Sequence, residues 1–140
     1  MVGCGDVASR VLPMLRERYR VYALLRDPAQ LATWGRAGAT PVLADLDDAA
    51  SLQRIAGLAD LVLHFAPPPG SDRGSKPADP RTRRLLAALG RGKSLPQRIV
   101  YISTTGVYGD CRGEEVDETR RLQPTSADRK STRLNSSHGI

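Results

Sequence analysis

The residues whose types and spacing could do chemistry stand first in the chain, as Gly3-Cys4-Gly5-Asp6-Val7-Ala8. This Gly-x-Gly-x-x-Ala spacing has a physical reason at each fixed position. Gly3 can make the tight turn out of a strand, Gly5 lets the backbone approach a diphosphate, and the small Ala8 lets the ensuing helix lie close on a sheet. Amides near Asp6 and Val7 then face the anion at the positive end of the helix dipole. Glycine serves many turns, so the pattern is weak alone, and its context decides. It opens an apolar helical pattern at Val7, Val11, Leu12 and Leu15 and heads a chain of alternating strands and helices.

Further candidates follow where strands end. Arg26 closes a β-prone run, the position near the adenosine ribose in a dinucleotide fold, where an acidic residue accepts from the 2′-hydroxyl and Arg pairs with a 2′-phosphate. Arg26 therefore favours NADP, with NAD the second choice because Asp27 is adjacent; a solvated charge is the plainer alternative. Asp45 and Leu46 follow the next strand, at the expected adenine edge. Asp45 either accepts from an adenine amino group or caps the helix after it. His64 near a strand end has no flanking acid or nucleophile and reads as a core histidine, and Trp34 reads as packing. Cys4 and Cys111 lie far apart, with no metal-ligand spacing, and read as thiols without a disulfide.

The elements that must position these residues follow from hydrophobic patterning. Residues 19–26 read as a strand, 28–37 as a helix with Pro28 in its first turn, and 40–43 as a short strand. A helix led by residues 45–48 carries Leu52, Ile55 and Ala56 on one face. A strand over 59–65 stops at Ala66-Pro67-Pro68-Pro69-Gly70. A Pro-, Gly- and Ser-rich loop then reaches Pro80, before a helix with Leu85, Leu86 and Leu89 and a strand over 98–102. Each strand is separated from the next by a crossover, and the strands are apolar on both faces. The expected class is α/β, a doubly wound parallel sheet of Rossmann type. Only Met1 and Val2 remain of the strand that should precede the Gly3 turn, so the domain is expected to be truncated, and Pro13 inside the first helical pattern is expected to bend that helix near Arg10.

At 140 residues, 40% hydrophobic and 26% charged, the chain suits one soluble domain, and an aromatic fraction of 4% makes its core aliphatic. No apolar run approaches a membrane span and no cleavable leader is visible, so the expected location is cytoplasmic. Residues 128–138 are polar and without periodicity, and they resemble one reading frame of a common sequencing-adaptor oligonucleotide. The expected division is a partial NAD(P)-binding domain over 1–127 and a non-native tail over 128–140. Without Asp128, Arg129, Lys130 and Arg133 the net charge of +6 falls to +4. The arginines of the helix after Pro80 read as a solvated face, with no interleaved aromatics to suggest nucleic acid.

The stretch Tyr101-Ile-Ser-Thr-Thr-Gly-Val-Tyr-Gly-Asp110 resembles the segment after the fifth strand of extended short-chain dehydrogenases, the NAD-dependent epimerase/dehydratase family. The Gly3 turn, the Asp45-Leu46 pair and the Ala66-Pro67 strand end join that likeness. Together with Val116-Asp117-Glu118 and Pro124-Thr125 they make it strongest toward the family's atypical branch. The resemblance implies an amino-terminal fragment in which Gly3, Gly5, Asp6, Val7, Ala8, Arg26, Asp45, Leu46, Ala66 and Pro67 bind the cofactor. By position Thr104, with Ser103 beside it, orients a small carbonyl or hydroxyl substrate, a role in which a fixed hydroxyl stabilises charge growing on oxygen; satisfying backbone groups at a strand end is the plainer role. The family's proton donor is a Tyr followed four residues later by Lys, which lowers the phenol's pKa. No Tyr here has that Lys, so the fragment is expected to be inactive, or its parent to be a non-catalytic NAD(P)-sensing module.

Overall fold

Two residues, Met1 and Val2, organise the sheet. In the computed structural model, which describes residues 1–67, 69, 79–102, 108 and 110–123, Val2 forms parallel bridges to both Leu24 and His64. Its amide donates to the Leu63 carbonyl at 2.8 Å, its carbonyl accepts from Phe65 at 2.7 Å, and the Met1 carbonyl accepts from Leu24 at 3.0 Å. Met1 and Val2 thus lie at the centre of the sheet.

Around it lie helix α1 (Asp6–Leu15), strand β1 (Tyr22–Leu25), helix α2 (Leu31–Arg36), strand β2 (Thr40–Leu43), strand β3 (Leu61–His64), helix α3 (Pro80–Leu89) and strand β4 (Arg98–Tyr101). β1 pairs in parallel with β2, Tyr22 opposite Thr40, and β3 with β4, Leu61 opposite Arg98. With Val2 bridging the pairs, the order across the sheet is β2, β1, Val2, β3, β4, which places a change of direction at the Gly3 turn.

The strands bury side chains on alternate faces, and each face has its own core. On one, Ala8 and Leu12 of α1 pack with Val21, Ala23, Leu25, Trp34 and Ala39. On the other, Leu85, Ala88 and Leu89 of α3 pack with Leu52, Ile55, Val62, Ala44 and Leu46. Helices cover both faces, and the architecture is the α/β Rossmann type expected.

Several local expectations change. β1, β3 and β4 are each four residues long, shorter than the runs 19–26, 59–65 and 98–102 that predict them, whereas β2 matches 40–43. The helix of residues 28–37 begins as a 3-10 turn, Pro28–Gln30, capped by Asp27. Residues Ser51–Ile55 form a 3-10 helix instead of an α-helix. Ser51 Oγ donates to the Asp48 carbonyl at 2.7 Å and accepts from the Asp45 amide at 2.9 Å, while Asp48 Oδ1 accepts from Ala50 at 3.0 Å. Such side-chain bonds satisfy backbone groups without a helical ladder, and Leu52 and Ile55, three apart, still share the buried side. On α3 the buried positions are Thr82, Leu85, Ala88 and Leu89, whereas Leu86 is exposed. Ile99 and Val100 of β4 are exposed as well, so that strand is not buried on both faces.

These elements, Met1–Pro67 with Pro80–Ile102, make one compact unit; Pro68–Asp79 with Ser103–Ile140 make a second. Within the second, the Glu114 amide donates to the Cys111 carbonyl at 2.9 Å across Arg112 and Gly113. These two have φ of 51° and 79°, the positive pair a type I′ turn requires.

Candidate functional site

The carboxyl ends of β1 and β2, the Gly3 turn and the end of β3 enclose a cleft of about 350 Å³, within the roughly 300–1,000 Å³ of small-molecule sites. Gly3, Arg26, Asp45, Leu46, Ala66 and Pro67 all line it, together with Cys4, Asp27, Gln30 and Arg81. Gly5 and Asp6 line a second groove of about 290 Å³ with Ser9, Thr33 and Trp34; it shares Cys4 and Gln30 with the first. Val7 is exposed on α1, outside both linings, and Ala8 is fully buried in the core under the helix. Ser103 and Thr104 lie outside the described residues.

The turn itself is held by packing. Gly3 has φ 81°, and a Cβ there would lie 2.3 Å from the Ala66 amide nitrogen and 2.7 Å from the Phe65 carbonyl carbon. Only glycine can bring the two strand ends this close. At Gly5 the opposite holds: nothing lies within 4 Å of where a Cβ would project. Gly5 is the N-cap of α1 and has no side-chain cap, so the first amides of the helix have no side-chain partner from their cap. A diphosphate fits such a cradle, because the space is bare backbone at the positive end of a ten-residue helix. The Asp6 carboxylate is turned to Arg10 Nε at 3.0 Å, an exposed pair one helical turn apart.

Around the rest of the cleft, side chains divide between local and ligand-facing duties. Asp27 Oδ1 accepts from the Ala29 amide at 2.9 Å and Asp45 Oδ1 from the Asp47 amide at 2.8 Å, so both carboxylates serve as local caps. Arg26 is exposed at the end of β1. Arg81, on the first turn of α3, reaches Asp47 with Nε at 3.0 Å and Nη2 at 2.7 Å. The Arg81 hydrogen bonds, helped by the charges of Arg81, Arg84 and Arg26, hold the Asp47 carboxyl below the usual carboxylate range. Sequence reasoning missed Arg81, because its partner lies 34 residues away and neither shares a periodic pattern with the other. Burial pushes the Cys4 thiol up, so it enters the site as a small neutral side chain. His64, 1% exposed, hydrogen-bonds Thr82 Oγ1 through Nε2 at 2.8 Å and meets the Tyr101 ring edge-on at 5.0 Å; it ties β3 to α3 beneath the cleft. Among the described residues no cluster could hold a metal ion, and no helix is long and apolar enough to cross a membrane.

A parallel sheet wound on both faces, with a glycine corner at its change of direction and a cleft beyond its strand ends, defines a Rossmann-type nucleotide-binding domain. Residues 3–133 match the NAD(P)H-binding family, and the chain belongs to it. Among solved structures, the chain is similar to a candidate epimerase from Burkholderia cenocepacia J2315, at 23% identity and a TM-score of 0.65 over 96% of this chain and 48% of that one. It is similar to the protein gox2253, at 21% identity and a TM-score of 0.68, covering 96% of this chain and 45% of that one. A functionally unknown conserved protein from Silicibacter pomeroyi DSS matches at 30% identity and a TM-score of 0.59, covering 97% of this chain and 45% of that one. The chain therefore spans about half the length of the structures it resembles. No curated protein matches it closely enough to count as a relative.

Proposed function

We propose that this domain binds a dinucleotide with its diphosphate on the amides of α1 and its adenosine in the cleft between Arg26, Asp45-Leu46 and Ala66-Pro67. The observation that carries this reading is the contrast at the corner: Gly3 is packed shut against Ala66, while Gly5 opens on bare space at the helix start. Ala8 lets α1 approach the sheet, and Asp6 and Val7 contribute backbone amides instead of side chains. Arg26 pairs with a 2′-phosphate, so NADP is preferred to NAD; the use of Asp27 as a turn cap supports that order.

The bound nicotinamide supplies or accepts a hydride. In a longer protein of this kind, Thr104 and Ser103 donate hydrogen bonds to the oxygen of a small carbonyl or hydroxyl substrate, where negative charge grows as the carbonyl is reduced. The proton itself needs a Tyr with a Lys four residues on, which this chain does not contain, so the chain alone binds cofactor without turnover. The reading covers residues 1–127, with 128–140 as non-native sequence, and places the protein in the cytoplasm.

A second reading is an NAD(P) sensor without chemistry. A Tyr-x-x-x-Lys in the longer protein supports the enzyme, and its absence supports the sensor. The binding claim is tested by titrating the chain with NADPH and NADH and following nicotinamide fluorescence. NADPH binds more tightly, and Arg26→Gln removes the difference; tighter NADH binding contradicts the Arg26 assignment.

A further inference from the structure

The amino-terminal half of α3 holds Arg81, Arg83 and Arg84, and its first turn holds no acidic residue. Cations at a helix start oppose the helix dipole, so this placement works against the helix that carries it. Two of the three are drawn to one place. Arg81 grips the Asp47 carboxylate with two hydrogen bonds, and Arg84 Nη1 lies 3.6 Å from the same group while donating to the Leu46 carbonyl at 3.2 Å. Arg26 reaches the same carboxylate electrostatically from the end of β1. Two guanidiniums thus converge on one carboxylate, and Arg81 lines the cleft together with Arg26.

A fork of two parallel N–H donors suits a phosphate monoester as well as it suits a carboxylate. The Arg81 and Asp47 side chains are 23% and 45% exposed, and an ion pair this open to water contributes little to stability and exchanges readily. We infer that Arg81 is a second specificity-determining residue for the cofactor's 2′-phosphate, and that Asp47 stands in for that phosphate until it arrives. The inference rests on the dinucleotide reading and adds a residue of α3 to Arg26 at the end of β1. Asp47 aligns the Arg81 fork and, by competing for it, sets how much affinity the phosphate gains.

The test compares NADPH and NADH binding to the full chain and to Arg81→Gln and Asp47→Asn. Arg81→Gln weakens NADPH about tenfold, the scale of one lost charge-assisted contact, and leaves NADH within about twofold. Asp47→Asn strengthens NADPH several-fold, again leaving NADH unchanged. NADH binding and the circular dichroism spectrum serve as controls for folding. An Arg81→Gln chain that loses both cofactors equally, or neither, overturns the role of Arg81 while leaving the site intact. A wild-type chain that binds neither cofactor overturns the site and this inference together.

Discussion

Gly3→Ala and Gly5→Ala, two substitutions of the same kind two residues apart, have opposite consequences. At Gly3 the new methyl meets the Ala66 amide nitrogen at 2.3 Å and its α carbon at 2.6 Å, both backbone atoms of a strand end that cannot swing aside. The backbone there also sits at φ 81°, which costs a side-chain-bearing residue about 1–2 kcal/mol. Overpacking adds about 1–3 kcal/mol, for a total on the order of 3 kcal/mol. In a chain of this length that lowers Tm by roughly 10 °C. At Gly5 the φ is −107° and the methyl projects into open space, so stability falls by no more than about 1 kcal/mol, the cost of alanine at an N-cap. The same methyl stands where the diphosphate must approach, and binding falls by at least about tenfold. Thermal unfolding and NADPH titration of both variants check this. A Gly5→Ala chain that binds as well as wild type, or a Gly3→Ala chain with an unchanged Tm, refutes the reasoning at that residue.

Three further outcomes follow from the packing. The Met1 ammonium donates to the Tyr22 carbonyl at 2.6 Å, and burial lowers its pKa from 8.0 more than nearby Cys4 raises it. Because the folded state disfavours the charged amine, stability rises with pH between the lowered value and 8.0 and is level above; urea midpoints show this rise, and an acetylated amino terminus abolishes it. Thr82→Val takes the hydroxyl from His64 Nε2 inside the core and costs about 1–3 kcal/mol in urea unfolding, against no measurable change were the contact incidental. Leu85→Ala, at a fully buried site, costs about 2–5 kcal/mol, while Leu86→Ala, 44% exposed, stays within about 0.5 kcal/mol. Equal costs would mean that α3 presents a different face.

Much of this fold was legible in the sequence because parallel strands buried by helices leave apolar runs separated by crossovers. Residues 40–43 were read as the strand found there. Met1 and Val2, just before the glycine turn, occupy the centre of the sheet as the place of that turn implies. What failed was decided by side-chain bonds that periodicity does not see. Asp45, Asp48 and Ser51 bond the backbone in place of a helical ladder, which leaves a 3-10 helix where an amphipathic pattern suggested an α-helix. Leu86 and Leu85 are equivalent in hydropathy, and only the packing of α3 on Val62 and Leu52 tells them apart. Likewise Arg81 looks like its neighbours until the chain brings Asp47 to it. Ser103 and Thr104 rest on family resemblance alone.

The corner at the start of α1 is the centre of the account, and backbone amide NMR reads it directly. Titrating the chain with 5′-ADP should move the amide signals of residues 3–8 first and furthest, with those of Arg26, Asp45 and Leu46 following. Saturable shifts that leave residues 3–8 untouched would place the diphosphate elsewhere and contradict the assignment.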